Sequence, residues 1–266
     1  MKNENKIVGA EKAPKSFSPE QGHKEFELTA AAYHEAGHVA AYAFFDNGFS
    51  HITRVRIWHD ANGESRGRVS RELVFAYHVY HQFDILPPQT KAIHARVNAI
   101  CSLAGPVAEA KFKCLNTEAE GAEEEEDLEG DVLYDLGEGM MRCWLPDGSW
   151  ALATEIPGAD LYIVNWYAEQ VERKYHPVKS LFRKWTRVAV ELMDRPDVWR
   201  CVSKFAEHLV KVREVAGRDL EPYFKEIRGA SDKSKKWRNP DLIKTVDVLR
   251  SWGSNDPMAD GVKDKL

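Results

Sequence analysis

The stretch from Ala31 to Tyr42, AAYHEAGHVAAY, constrains this chain more than any other. It is rich in Ala and free of Pro, which predicts a helix. His34 and His38 then stand one turn apart on one face, so two imidazoles can reach a single metal ion. Glu35 projects from the edge of that face, close enough to act on a water without ligating the ion. This is the H-E-x-x-H arrangement of zinc hydrolases: two neutral His ligands, an open coordination position and a carboxylate that accepts a proton from the attacking water. The bland alternative is the polar face of a solvated helix. The flanks argue against it, because Ala30, Ala31, Ala32, Ala36, Ala40, Ala41 and Ala43 leave the helix thin on nearly every side. Gly37 costs about 1 kcal/mol against Ala in a helix interior, which predicts a second backbone passing very close to it.

At 266 residues and 43% hydrophobic, the chain can bury one sizeable core, with or without a small appended domain. A net charge of -5 argues against a dedicated nucleic-acid binder. Cys101, Cys114, Cys143 and Cys201 are scattered with no C-x-x-C pair, and read as free thiols of a cytoplasmic protein. No apolar run approaches the roughly 18 residues of a membrane span, and no G-x-x-x-x-G-K-[ST] loop is present.

Along the chain, residues 1–24 are polar, carry Pro14 and Pro19, and read as a flexible arm. The helix with the His pair should stop near Asp46-Asn47-Gly48. Ile52, Val55 and Ile57 then give a short strand ending near Trp58, and Asn62-Gly63 turns into a second one around Gly67 to Val74. In many peptidases such an edge strand holds substrate backbone by strand addition. His51, His59, His78 and His81 share no ligand spacing and read as surface or hydrogen-bonded histidines. From Gln89, an apolar face of Ile93, Val97, Ile100, Cys101 and Ala104 predicts a helix interrupted at Gly105, with Pro106 opening the next one. Ala104, Gly105, Ala108 and Ala110 suit close contact with the equally small-residued His helix.

The blocks AYHEAGHVAAY and, some sixty residues on, LAGPVAEAKF make the chain resemble the peptidase domain of the FtsH family. That family has a Tyr-His-Glu-Ala-Gly-His helix followed by a Leu-Gly-Gly-Arg-Ala-Ala-Glu-like helix. The segment WRCVSKFAEHLVKVREVAGRDLEPYF, Trp199 to Phe224, is similar to that domain's closing helix pair with its Gly-x-x-Leu connection. The resemblance covers about residues 25–228, without the family's motor module or membrane anchor. It implies an α+β, mostly helical, zincin-like fold, with a small sheet beside the H-E-x-x-H helix and a C-terminal helical bundle.

It also implies a third metal ligand, an Asp near the start of a later helix in a Gly-Ala-x-Asn-Asp-Leu context. GAEEEEDLEGDVLYDLGEGMM, from Gly121, offers three candidates. Asp127 matches the Asp-Leu pair, Glu129 heads the apolar face of Val132, Leu133, Leu136 and Met140, and Asp131 stands where the acidic run gives way to apolar periodicity. Asp131 is favoured, as an Asp suited to a first helical turn, with Asp127 next.

Pro146-Asp147-Gly148 and Pro157-Gly158 place a loop over residues 144–160. Beyond it, Leu161, Val164, Tyr167, Ala168 and Val171, then Leu181, Trp185, Val188, Ala189 and Leu192, recur at helical spacing and predict a bundle. Residues 229–266 are a polar tail in which Ile243, Val246, Val248, Leu249 and Trp252 suit one short helix. The resulting expectation is a cytoplasmic zinc metalloendopeptidase of residues 25–228, with His34, His38 and Asp131 on Zn2+ and Glu35 as general base. It would hydrolyse unfolded or flexible polypeptides without an ATPase of its own. Its expected partner is a polypeptide substrate, with no nucleic acid and no membrane, and with room for a homo-oligomer or a separate unfoldase. The alternative from another class is an inactive metal-binding module that recognises protein segments.

Overall fold

Pro19 opens the first helix, α1 (Pro19–Phe44), at a position where its missing N–H goes unused. Glu20 in the first turn meets the positive end of the helix and pairs with Lys24 at 2.7 Å. From Leu28 onward α1 is buried on most sides: Ala30, Ala32, Ala36, Ala40, Ala41 and Ala43 have almost no exposed surface. The structure, a computed structural model, describes residues 19–45, 52–71, 88–117, 142–144, 150–156, 159–171 and 178–232. The helix thus begins inside the stretch expected to be an arm, and residues 1–18 lie outside the described residues.

The close backbone anticipated at Gly37 belongs to α2 (Pro88–Thr117). A Cβ on Gly37 would fall 2.3 Å from the Ala104 carbonyl oxygen and 2.7 Å from Ala108 Cβ, so only a glycine lets the two helices meet there. The expected break at Gly105 is not found, and α2 runs through Pro106 as one helix. Pro106 cannot donate to the Ser102 carbonyl, a loss worth about 3 kcal/mol. The flanking Leu103 and Val107 are both buried, and each returns about 1.5–3 kcal/mol, so packing overrides the local rule.

Strands β1 (Ile52–His59) and β2 (Ser65–Arg71) form the expected antiparallel pair. Their turn is tied by Asp60, whose Oδ1 accepts the backbone N–H of Asn62 at 2.9 Å and of Glu64 at 3.0 Å. Gly63 supplies the left-handed residue, with φ 80°. A third strand, unanticipated, completes the sheet in the order β2-β1-third strand and leaves β2 at an edge among the described residues. That strand is a three-residue piece, Glu214–Ala216, lying between two helices. Residues 142–144 and 150–152, expected to lie at or within a loop, instead form the short antiparallel pair β3 (Arg142–Trp144) and β4 (Trp150–Leu152).

The C-terminal half is helical as expected, with α3 (Asp160–Val171), α4 (Val178–Met193), α5 (Pro196–Val212), then the third sheet strand, β5, and α6 (Glu221–Asp232). Most of each predicted face is buried, Leu161, Val164, Tyr167 and Ala168 on α3 and Trp185, Val188, Ala189 and Leu192 on α4, while Val171 and Leu181 are only partly covered. Helices α3 and α4 pack on α2, and α5 packs on α1, so the His-bearing helix lies at the centre of the fold. Helix α6 continues past residue 228 to Asp232, and the short helix suggested around Ile243 lies outside the described residues. Cys101, Cys114 and Cys201 form no disulfide among the described residues. No helix among the described residues is long and apolar enough to cross a membrane.

His94 on α2 gives the fold a measurable acid sensitivity. Burial pushes its imidazole down from 6.5 to about 4, so the folded protein holds it neutral where the unfolded chain would protonate it. The stability this carries is complete above pH 6.5 and is lost as the pH falls from there through 4. Between pH 7 and pH 4, wild type should lose about 2–3 kcal/mol more than His94→Gln, read from urea midpoints of the two proteins. Parallel loss in both would show that His94 is solvated.

Candidate metal centre

His34 and His38 share one face of α1, their ring centroids 4.8 Å apart and nearly perpendicular. Each ring is held from behind by its Nδ1. His38 Nδ1 lies 2.8 Å from the Cys101 carbonyl oxygen, one turn before Gly105 on α2. A carbonyl only accepts, so the proton is on Nδ1 and the free edge of the ring is Nε2. His34 Nδ1 lies 2.9 Å from Glu109 Oε2, and Glu109 in turn meets Lys113 at 3.0 Å, which also reaches Glu27 at 3.2 Å. Both Nε2 atoms face one carboxylate, that of Asp160, whose Oδ2 is 3.0 Å from His34 Nε2 and 3.3 Å from His38 Nε2.

Asp160 is the first residue of α3, where the helix dipole favours a negative charge. One ligand atom from each of His34, His38 and Asp160 lies within 4.8 Å of the others, and these three residues could hold a metal ion. The chemistry of the donors fits that role. With both Nδ1 hydrogens committed, two imidazole lone pairs and a carboxylate oxygen converge, a repulsive arrangement unless positive charge is shared among them. Burial opposes charging either ring, yet Asp160 and Glu109 outweigh it at His34, and chiefly Asp160 does so at His38, so both stand above the ordinary imidazole range. Burial likewise opposes the Asp160 anion, and the two rings overcome it and hold its carboxyl far below the usual range. A pocket this eager for positive charge is suited to a divalent cation, and two His with one carboxylate leave a fourth position open.

Glu35 is buried beside the pair and beneath the edge strand. A Cβ on Gly67 of β2 would fall 2.5 Å from both Glu35 Cγ and Oε1, so the strand crosses directly over this carboxylate. Burial raises the Glu35 pKa, and the two imidazoles and a backbone hydrogen bond at Val69 only partly offset this. Gly105 closes the other side: a Cβ there would fall 2.4 Å from His38 Nε2 and 2.9 Å from His34 Cδ2.

His34, Glu35 and His38 therefore meet as the sequence predicts, while Asp127, Glu129 and Asp131 lie outside the described residues. The carboxylate that the described residues bring to the rings is Asp160, which the sequence places only at the end of the 144–160 loop, with no site role. A signal was present, since Gly158-Ala159-Asp160-Leu161 combines a Gly-Ala and an Asp-Leu pair at the head of an apolar periodicity. Among the other histidines, His59 is exposed and lies 3.3 Å from Ser65 Oγ, a surface hydrogen-bonded residue as expected. His51, His78 and His81 lie outside the described residues.

Glu109 orients His34 and makes its imidazole a better donor, the carboxylate–histidine device of metal sites. The His34 hydrogen bond and the Lys113 charge outweigh its burial and hold its carboxyl down at about 2, so it is an anion at any working pH. Glu109→Ala should weaken zinc binding about 10–100-fold in a chelator competition. Unchanged affinity would mean that the 2.9 Å contact does not support His34. No protein-family model matches this chain, and no curated protein shows significant similarity to it.

Proposed function

We propose that this chain is a zinc metallopeptidase that hydrolyses unfolded or flexible polypeptides, with the zincin-like arrangement of an FtsH-type peptidase domain. One observation carries this: the convergence of His34 Nε2, His38 Nε2 and Asp160 Oδ2, with Glu35 buried alongside under an edge strand. His34, His38 and Asp160 would hold the ion. When bound, zinc supplies Lewis acidity that polarises the scissile carbonyl and acidifies water. Glu35 takes the proton of the attacking water and passes it to the leaving amine, a task to which its raised pKa is suited. The edge of β2 holds the substrate backbone in an extended form by pairing its N–H and C=O groups. The site's position beneath a narrow sheet edge favours a chain that can be drawn out straight over a folded surface.

The test is cleavage of an unfolded protein by the zinc-loaded wild type set against Glu35→Gln, with metal content measured in both. Zinc in both and cleavage in neither would replace this reading with that of a metal-binding module. Absence of zinc from both, under conditions that load other zinc proteins, would remove the metal centre itself.

A further inference from the structure

Gly67 faces inward onto Glu35, so its neighbours Arg66 and Arg68 project from the opposite face of β2. The register places Arg56 of β1 between Arg68 of β2 on one side and Glu214 of β5 on the other, with Trp58 across from Arg66 and Arg54 across from Ser70; the Glu214 carboxylate is engaged by Arg54. Four arginines therefore share one face of the sheet, and they are not equivalent. Arg54 meets Glu214 at 3.3 Å, and Arg66 is paired with Asp60 at 3.1 Å and with Glu64. Arg56 lies over the Trp58 ring at 4.5 Å, and its Nε is buried without a hydrogen-bond partner. Arg68 is exposed and has no acidic partner among the described residues. Like charges directly opposite on neighbouring strands repel, and an anion placed between them turns that repulsion into attraction.

We infer that Arg56 and Arg68 form a subsite for an acidic side chain of the polypeptide strand laid along β2, so that the preferred substrates are segments carrying Asp or Glu. This rests on the peptidase reading above and names its substrate class. Side chains of an added strand alternate between the two faces. A strand positioned with its backbone beside Gly67 turns one set of side chains toward Glu35 and the metal ligands, and presents the other set to Arg66 and Arg68. Arg66 is already neutralised, which leaves Arg68, with Arg56 behind it, to receive a carboxylate in a two-pronged contact. A nucleic acid is the less suitable occupant. The chain is acidic overall, Trp58, the one aromatic ring on this face among the described residues, is covered by Arg56, and Arg68 is one residue from the glycine that covers Glu35.

The experiment uses the full chain loaded with zinc and internally quenched peptides of equal length, with Glu, Gln or Lys at every second position. Wild type should cleave the Glu peptide with a kcat/KM roughly fivefold above that for the Gln peptide, mainly through KM. Arg68→Glu should reverse the order in favour of the Lys peptide, which a merely structural role for Arg68 would not do. Equal cleavage of the Glu and Gln peptides by wild type, or an unchanged preference in Arg68→Glu, overturns the inference and leaves the peptidase reading standing. Fluorescence anisotropy of the same peptides on Glu35→Gln separates the two questions. Selective binding of the Glu peptide that Arg68→Glu abolishes supports the subsite even where no peptide is cut. Displacement of the Glu peptide by a single-stranded oligonucleotide at a lower concentration than by unlabelled Glu peptide overturns the assignment to a polypeptide.

Discussion

Glu35→Gln should slow cleavage of an unfolded protein by about 10²–10⁴-fold while leaving the zinc content unchanged. The two halves of this result have separate physical origins. The atoms that converge on the cation site are His34 Nε2, His38 Nε2 and an Asp160 carboxylate oxygen, and Glu35 contributes none of them. Glutamine keeps the shape that fits beneath Gly67, where the carboxylate now lies, so the strand above it need not move. What is lost is the capacity to accept a proton. Because burial raises the Glu35 pKa, replacing the carboxylate by a neutral amide also removes a desolvation cost, and the metal-free variant should be at least as stable as metal-free wild type. Cleavage followed on gels, zinc followed by elemental analysis and a thermal melt together read all three quantities. Equal cleavage by the two proteins would remove Glu35 from the reaction.

The helix with the His pair was legible because everything that defines it is local. Ala-rich sequence makes the helix, four-residue spacing puts the two rings on one face, and Gly37 announces a neighbour through the absence of a side chain. Small residues on the second helix pointed to the same contact from the other side. The third donor was not legible in this way. Asp160 is 126 residues from His34, and only the docking of α3 on α2 brings it to the rings. The acidic run around Asp127 offers the same Asp-Leu pair as Asp160-Leu161, and no local signal ranks a carboxylate by where its helix will dock. β5 escaped for a similar reason: in Glu214-Val215-Ala216 only Val215 is fully buried, and the strand exists through its pairing with β1. Pro106 shows the opposite failure, a strong local signal overruled by buried neighbours on both sides.

Gly105→Ala separates the metal centre from the fold that carries it. In the interior of an exposed helix this change gains about 1 kcal/mol, because alanine loses less backbone entropy than glycine. In α2 the new Cβ would fall 2.4 Å from His38 Nε2 and 2.5 Å from its Cε1. The ring is stiff, and its far nitrogen is fixed 2.8 Å from the Cys101 carbonyl oxygen, so it cannot turn aside without breaking that hydrogen bond. Nε2 must therefore leave its place opposite Asp160, and zinc affinity should fall about 100-fold or more, beyond what loss of a supporting hydrogen bond costs. The metal-free protein should change little, since an overpacking cost of about 1–3 kcal/mol is partly offset by the gain in helix propensity. A hundredfold weaker site forfeits about 2.7 kcal/mol of metal-linked stability at saturating zinc, so the rise in melting temperature on adding zinc should largely disappear in the variant. Circular dichroism with and without zinc, together with a chelator titration, reads both effects. Wild-type affinity in Gly105→Ala would mean that the His38 ring does not lie against Gly105, and with it would go the geometry that aims both imidazoles at Asp160.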